Sequence, residues 1–313
     1  MRIAILDDYQ NVALGFAGWD SLNAEITVFT EPIPEAEEVV RALAGFDVVV
    51  AMRERTKFPA DVLRRLPNLE LLVSTGERNA AIDVAAARDA GIVVSGTGYV
   101  SHPTAELTWA LILAAARNLP AEERAVRDGR WQQGVGTSLH GKTLGLIGLG
   151  RLGARVAEIG QVFGMKTVAW SQNLTAERAA EHGVTAMSRE DLLRSADVVS
   201  IHLVLSRRSR GLIGAGALAL MKPGALLVNT SRGPIIDQDA LLDALHRGAI
   251  RAALDVYDAE PLPADHPIRS APNTVLTPHI GYVADDLYEL FYRDAVADIA
   301  AFQAGKPIRI MTG

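Results

Sequence analysis

Three residues in the second half of the chain carry side chains that together could bind an acid and move a proton. Arg232 follows Asn229-Thr230-Ser231 and precedes Gly233-Pro234. Glu260 ends the stretch Asp255-Val256-Tyr257-Asp258-Ala259-Glu260 before Pro261, and His279 lies in Thr277-Pro278-His279-Ile280-Gly281. A guanidinium grips a carboxylate in a bidentate fork. An imidazole titrates near neutral pH and exchanges protons with a substrate, and a neighbouring carboxylate would orient it and favour its charged form. Each alone reads as well as a loop arginine, a solvated glutamate before proline, or a capping histidine. As a set they gain meaning, because each follows an apolar, strand-like run, at 225–229, 252–254 and 275–276. In a parallel sheet the carboxyl ends of such strands converge on one crevice.

The element that would bring a reactant to that crevice lies earlier. An apolar run at 144–147 leads into Gly148-x-Gly150-x-x-Gly153, and an amphipathic run over 154–163 follows at once. A dinucleotide site has this order: the first glycine makes the tight turn, the second admits a pyrophosphate, and the third lets helix and strand pack closely. The helix N-terminus adds unpaired N–H groups and a partial positive charge. Gly148, Gly150, Arg151, Leu152 and Gly153 are therefore the expected cofactor-binding residues. Strand-like runs at 144–147, 167–170, 198–201, 225–229, 252–254 and 275–276 alternate with helical runs at 151–163, 175–181, 189–195, 214–220 and 237–247. That series suffices for a complete dinucleotide-binding sheet. Asp237 and Gly248 bound its last helix. The second strand of the series ends in Trp170-Ser171-Gln172-Asn173, where an NAD site usually carries an acid for the ribose hydroxyls. Ser171 stands there instead, and the nearest following basic residue is Arg178. NAD and NADP both stay open, and the neutral Gln172 and Asn173 lean toward NAD.

The first hundred residues alternate in the same way. Apolar runs at 2–6, 47–51, 69–73 and 92–94 are separated by helical patterns at 35–44, 59–66 and 82–89, which implies a parallel sheet covered on both faces. Two loops at strand ends, 52–55 and 74–79, could meet a ligand. Gly76 permits a close approach, so the second could offer backbone N–H groups to a small anion; the alternative is a polar surface loop with solvated arginines. From Ser101, expected to cap, and Pro103 in the first turn, one long apolar helix runs over 105–117. It is too hydrophobic to be solvated and is expected between domains or subunits. Residues 118–140, with Trp131, read as a looser subunit-contact or crossover segment. A last helix over 284–304 precedes a tail, 306–310, that returns to the first domain. The expected organisation is α/β, with two doubly wound parallel-sheet domains: a substrate domain of 1–98 plus 283–313 and a dinucleotide-binding domain of 99–282.

Composition narrows the function classes. With 49% hydrophobic and 22% charged residues, the 313-residue chain has the make-up of a soluble globular protein. A formal net charge of −6 without a dense Lys/Arg block argues against a nucleic-acid surface. The absence of cysteine removes disulfides, thiolate nucleophiles and Cys-ligated zinc together, and no metal is expected. The longest apolar run, 109–116, is too short to span a bilayer, and residues 1–8 read as a buried strand ended by acids rather than a signal peptide. A cytoplasmic protein without membrane or nucleic-acid partners is the expectation.

Over essentially its whole length the chain resembles the D-isomer-specific 2-hydroxyacid dehydrogenases. The matching motifs are Gly148-Leu149-Gly150-Arg151-Leu152-Gly153, Asn229-Thr230-Ser231-Arg232-Gly233, Leu254-Asp255-Val256-Tyr257 through Glu260-Pro261, and Thr277-Pro278-His279. His202-Leu203-Val204-Leu205-Ser206 is similar to the family's cofactor-flanking loop, with Val204 in the place of its usual proline. The resemblance implies a Rossmann domain inserted into a flavodoxin-like substrate domain, NAD or NADP as cofactor, and a small 2-hydroxy or 2-oxo acid as substrate. It implies Arg232 on the substrate, His279 as acid/base and Glu260 as its partner. It also puts Asp255 near the nicotinamide carboxamide and Ser74, Thr75 and Gly76 near the substrate carboxylate. Ser171, Leu203, Thr230, Ser231, Arg232, His279 and Gly281 then join the glycine loop in lining the cofactor. Arg53, Arg78 and Tyr282 are candidates to shape the substrate pocket. A homodimer is implied, and a short form, since the sequence ends at Gly313 before any effector domain. Two alternatives stay open: an NADP-preferring glyoxylate or hydroxypyruvate reductase, and a non-catalytic dinucleotide-sensing protein.

Overall fold

Short runs such as Val48-Val49-Val50-Ala51 are buried along their whole length, which requires helices on both faces and produces parallel sheets. The computed structural model describes residues 1–312 and contains two such sheets. The chain divides into two compact units, Met1–Val100 with the segment from Val283 onward, and Ser101–Tyr282.

In the first unit, β1 (Arg2–Ile5), β2 (Glu25–Val28), β3 (Val48–Ala51), β4 (Leu71–Ser74) and β5 (Val93–Gly96) lie in the order β2-β1-β3-β4-β5, all parallel. This is the flavodoxin-like order. The edge strand β2 is half exposed, and its Glu-Ile-Thr-Val sequence lacks the apolar run that marks the others. The final helix, Asp285–Gln303, contributes Phe291, Tyr292, Ala295 and Ile299 to this unit's interior, and Tyr292 meets Trp19 edge-on at 6.1 Å. The tail does return to the sheet: Gly96 donates to the Arg309 carbonyl at 3.0 Å and Met311 donates to Val94 at 2.8 Å.

In the second unit, β6 (Thr143–Ile147), β7 (Lys166–Trp170), β8 (Thr185–Ala186), β9 (Val198–Ile201), β10 (Leu226–Asn229), β11 (Arg251–Leu254) and β12 (Thr274–Leu276) are again all parallel. Their order, β12-β11-β10-β9-β6-β7-β8, is the dinucleotide-binding order extended by β12. The two-residue β8 is too short to leave a periodic signal in the sequence. Asp237 caps the helix Gln238–His246 by accepting from the Ala240 N–H at 3.1 Å.

Two local expectations are corrected, and the long helix finds core partners within its own unit. The long apolar helix, His102–Ala116, packs into its own unit's core: Ala105, Trp109, Ile112 and Ala115 join Leu146, Val156, Val228 and Ala253. Ser101 precedes that helix without a side-chain capping bond, because its backbone is already helical (φ −100°, ψ −8°). The segment expected to be loose contains a helix, Leu119–Arg127, while Trp131 and Val135 beyond it are exposed. No helix among the described residues is long and apolar enough to cross a membrane.

The tail is fastened by a buried acid. Arg309 Nε donates to Asp298 Oδ1 at 3.0 Å, and burial pushes the Asp298 carboxyl up to about 7 against the opposing pull of Arg309. A carboxyl that keeps its proton longer when folded favours the folded state at low pH, and that contribution fades as pH rises from about 4 to 7. Urea unfolding at pH 5 and pH 8 is therefore expected to show lower stability at pH 8, with a smaller difference in Asp298→Asn.

Candidate active site

Register decides which loops lie side by side. Asn229 of β10 is opposite Leu254 of β11, and Leu254 is opposite Leu276 of β12, so three consecutive strands end level with one another. Neighbouring parallel strands are roughly 4.8 Å apart. The loops that leave them carry Arg232, Glu260 and His279.

The His279 turn is built on a buried carboxylate. Asp255, the residue after β11, accepts from Thr277 Oγ1 at 2.6 Å, Ile280 N at 2.8 Å and Gly281 N at 2.9 Å. Gly281 is further fixed through its carbonyl, which accepts from Thr104 Oγ1 at 2.9 Å. These bonds hold His279 at φ +55°, a left-handed conformation that a non-glycine residue adopts only when its surroundings over-determine it. Burial pushes the Asp255 carboxyl up, opposed by the hydrogen bond from Thr277, the amides of Ile280 and Gly281, and the nearby His279.

His279 Nδ1 is hydrogen bonded to Glu260 Oε2. The carboxylate can only accept, so Nδ1 carries a proton and Nε2 is the nitrogen not committed to Glu260. Both side chains are partly exposed, at 22% and 31%. The other oxygen of Glu260 accepts from the Tyr257 N–H at 2.8 Å. The Tyr282 ring stands edge-on to the imidazole at 5.6 Å. An imidazole oriented by a carboxylate and partly exposed to solvent is equipped to give or take a proton.

Arg232 is positioned by the Asn229 amide, which donates to the Arg232 carbonyl at 2.9 Å and accepts from the Ser231 N–H at 3.0 Å. Ser231 Oγ donates to the Ile201 carbonyl at 2.7 Å, and Thr230 Oγ1 lies 2.8 Å from Thr108 Oγ1 on the long helix. The Arg232 side chain is half-buried, with Nη1 donating to the Ser231 carbonyl at 2.8 Å. Gly233 brings this loop against the Glu260 loop: a Cβ there would sit 2.1 Å from the Tyr257 carbonyl carbon. The sequence assigns roles to Arg232, Glu260 and His279 and quotes Tyr257 and Gly233 in its motifs without a role, because their importance lies in contacts between loops that no local pattern encodes.

The glycine loop follows β6. Gly148 has φ +106°, and a Cβ on it would meet the His202 carbonyl oxygen at 2.4 Å. A Cβ on Gly153 would lie 2.2 Å from the Gly148 oxygen. Gly150, by contrast, faces open space with nothing within 4 Å of its Cβ position, at the N-terminus of the helix Arg151–Val162. Two glycines close the turn and the third leaves it open, the division of labour that a pyrophosphate cradle needs. Ser171 Oγ, at the end of β7, accepts from the Leu149 N–H at 3.0 Å. His202, after β9, stands beside this turn. Burial pushes its imidazole down to about 3, so it is neutral; Nε2 bonds Ser200 Oγ at 2.9 Å, and the buried Nδ1 has no partner. An orphaned nitrogen on a residue packed against Gly148 and Gly153 fits a site completed by a ligand. The sequence includes His202 at the head of the His202-Leu203-Val204-Leu205-Ser206 segment but assigns it no role of its own.

The 74–76 loop belongs to the first unit, after β4. Its Thr75 and Gly76 amides are already bonded, to the Ala51 carbonyl at 3.0 Å and Thr97 Oγ1 at 2.7 Å, so they are not the anion-facing N–H groups that the sequence suggested. Ser74 Oγ accepts from Asn79 Nδ2 at 3.0 Å. The Arg53 guanidinium lies across Gly76 instead, its Nη1 donating to the Thr75 carbonyl at 2.9 Å, and its backbone is left-handed at φ +51°.

Residues 109–281 match the family model of the D-isomer specific 2-hydroxyacid dehydrogenase NAD binding domain. The chain belongs to the D-isomer specific 2-hydroxyacid dehydrogenase family. A glyoxylate reductase of Aeropyrum pernix is 42% identical over 261 residues, 80% of this chain and 78% of that protein. A D-3-phosphoglycerate dehydrogenase of Archaeoglobus fulgidus is 34% identical over 99% of this chain, which spans only 58% of that relative's length. Among solved structures, a phosphoglycerate oxidoreductase from Vibrio cholerae o395 superposes with a TM-score of 0.93 at 37% identity, covering 97% of this chain and 99% of that one. Membership makes the chain an oxidoreductase that works with a nicotinamide dinucleotide.

For this dehydrogenase the two kinds of glycine are expected to separate on substitution. Gly153→Ala forces a Cβ against backbone and is expected to lower stability by about 1–3 kcal/mol. Gly150→Ala is expected to cost less than about 1 kcal/mol, the penalty of a poorer N-cap, while weakening binding of the nicotinamide dinucleotide. Thermal unfolding and a fluorescence titration with NADH check both.

Proposed function

We propose that this dehydrogenase interconverts a small D-2-hydroxy acid and its 2-oxo acid, with His279 as acid/base, Glu260 as its partner and Arg232 as the substrate grip. The observation that carries this reading is the His279–Glu260 hydrogen bond between loops whose strands, β11 and β12, end level with β10 and its Arg232 loop. When bound, the nicotinamide supplies or accepts the hydride at substrate C2. The chain's residues do the rest. Protonated His279 gives its Nε2 proton to the alkoxide oxygen that forms as the carbonyl is reduced. Glu260 holds the ring in place and offsets the imidazolium charge before that transfer. Arg232 pairs with the substrate carboxylate and offsets the growing negative charge on oxygen. On this reading Gly148, Gly150, Arg151, Leu152 and Gly153 hold the pyrophosphate, and Leu203, Thr230, Ser231, Asp255 and Gly281 line the rest of the cofactor. Ser74, Thr75 and Gly76, with Arg53 above them, are the proposed substrate-binding residues of the first unit. The 2-oxo acid, glyoxylate or hydroxypyruvate in size, is small and carries one carboxylate.

The cofactor on this reading is NAD. One observation favours NADP instead: the Arg189 guanidinium lies 5.8 Å over the ring of Trp170, the residue before Ser171, where a 2′-phosphate would need a cation. Glu190 already engages that guanidinium at 2.9 and 3.2 Å, which is why NAD is the first choice. Turnover with NADH and NADPH at equal concentration separates the two. If NADP is the cofactor, Arg189→Ala lowers turnover with NADPH alone.

Reduction consumes a proton and oxidation releases one, so reduction is expected to slow, and oxidation to quicken, as pH rises. His279→Ala is expected to lower turnover by about 10² or more while NADH still binds. Unchanged turnover in that variant, measured against a panel of 2-oxo acids, removes His279 from the mechanism.

A further inference from the structure

The His279 turn stands at an edge of its sheet. β12 pairs with β11 on one side and, among the described residues, with no strand on the far side. Pro278, just before His279, contributes no N–H to any ladder. Asp255 holds the turn from below through Thr277 Oγ1 and the amides of Ile280 and Gly281. The Thr277 N–H also donates to the Leu254 carbonyl at 2.9 Å, which ties the root of the turn to the end of β11 but not to the Glu260 loop beyond it. An imidazole–carboxylate bond is sensitive to shifts of a few tenths of an ångström, so something must set the distance between the turn and that loop.

Tyr257 is connected to all three functional loops. Its phenol O–H donates to the Thr277 carbonyl at 3.0 Å, two residues before His279, and lies 3.3 Å from the Leu254 carbonyl at the end of β11. Its backbone N–H donates to Glu260 Oε1, the oxygen opposite the one that meets His279. Its peptide carbonyl packs against Gly233, where a methyl group would have no room, next to Arg232. Burial pushes the phenol up, and the Asp255 and Glu260 charges push it further, so it remains a proton donor throughout the pH range in which a dehydrogenase works.

We propose that Tyr257 is a positioning residue for this site, its phenol O–H fixing the His279 turn to the Glu260 loop so that the imidazole–carboxylate bond is held. The proposal rests on the acid/base reading of His279 for its effect on turnover, and on geometry alone for its effect on the bond. Phenylalanine at 257 keeps the ring and the backbone contacts and removes only the hydroxyl. The strut then goes, while the clamp from Asp255 and the glycine loop remain.

The test uses the full chain as Tyr257→Phe, Glu260→Gln and the double variant. Proton NMR in water reports the imidazole N–H bonded to Glu260 as a downfield resonance, assigned by its disappearance in Glu260→Gln. Tyr257→Phe is expected to shift or broaden that resonance. It is also expected to lower kcat for NADH-dependent reduction of glyoxylate and hydroxypyruvate by about tenfold, the loss of one hydrogen bond expressed in the rate. KM for NADH is expected to stay within about twofold, and Tyr257→Phe is expected to add less than about twofold once Glu260 is already glutamine. A resonance unchanged by Tyr257→Phe overturns the proposal, and so does an equal fall in kcat in both backgrounds, which marks a merely structural tyrosine. If the unaltered protein reduces no 2-oxo acid, the resonance still decides: a shift upholds the strut and puts the failure on the proposed reaction.

Discussion

One buried carboxylate underlies the candidate site. Asp255 accepts three hydrogen bonds from the turn that follows β12, and this lets His279 stand in a left-handed conformation that an unconstrained histidine rarely adopts. The group sits in the dry interior between two strand ends, where an unsatisfied charge would be strongly unfavourable. Its acceptors are filled by the chain that carries the imidazole. Stability and placement of the reactive group are thus the same interaction, and a change that loosened one would loosen the other.

Around that point the site is a set of loops docked on one another rather than a rigid scaffold with side chains attached. Gly233 admits the Tyr257 peptide, Asn229 closes the Arg232 turn on itself, and Thr104 and Thr108 tie the loops after β12 and β10 to the long helix. The helix His102–Ala116 therefore does more than fill the core. It supplies two hydroxyls, placed one turn apart, that reach loops on different strands. Its apolar remainder is what keeps those hydroxyls in a water-free setting, where such bonds are strongest.

What was legible in the sequence follows from how local its cause is. Gly148, Gly150 and Gly153 announced a turn and a cradle because the constraint on each acts within a few residues. The buried strands were visible as apolar runs because both their faces are covered. β2 and β8 were not, since a half-exposed edge strand and a two-residue strand carry no such run. Arg232, Glu260 and His279 could be proposed as a set from the strands they follow, whereas the hydroxyl of Tyr257 and the orphaned nitrogen of His202 are meaningful only once distant segments meet. The long helix was legible as buried, but hydrophobicity reports burial without naming what does the burying. The 74–76 amides were misjudged for a related reason: their partners, Ala51 at the end of β3 and Thr97 just past β5, come from the segments on either side of β4.

The first unit draws its last helix and its tail from beyond Tyr282, and the ring of Tyr292 sits among Trp19 and Phe16 near the start of the chain. On the ribosome, then, the part made first cannot close its interior until the part made last has emerged, whereas the unit between them is one continuous stretch. The middle of the polypeptide is free to fold as it appears, and the beginning must wait with apolar surface uncovered. A nascent chain of this design leaves apolar surface of residues 1–100 open to chaperones and to aggregation until the segment beyond Tyr282 has been made.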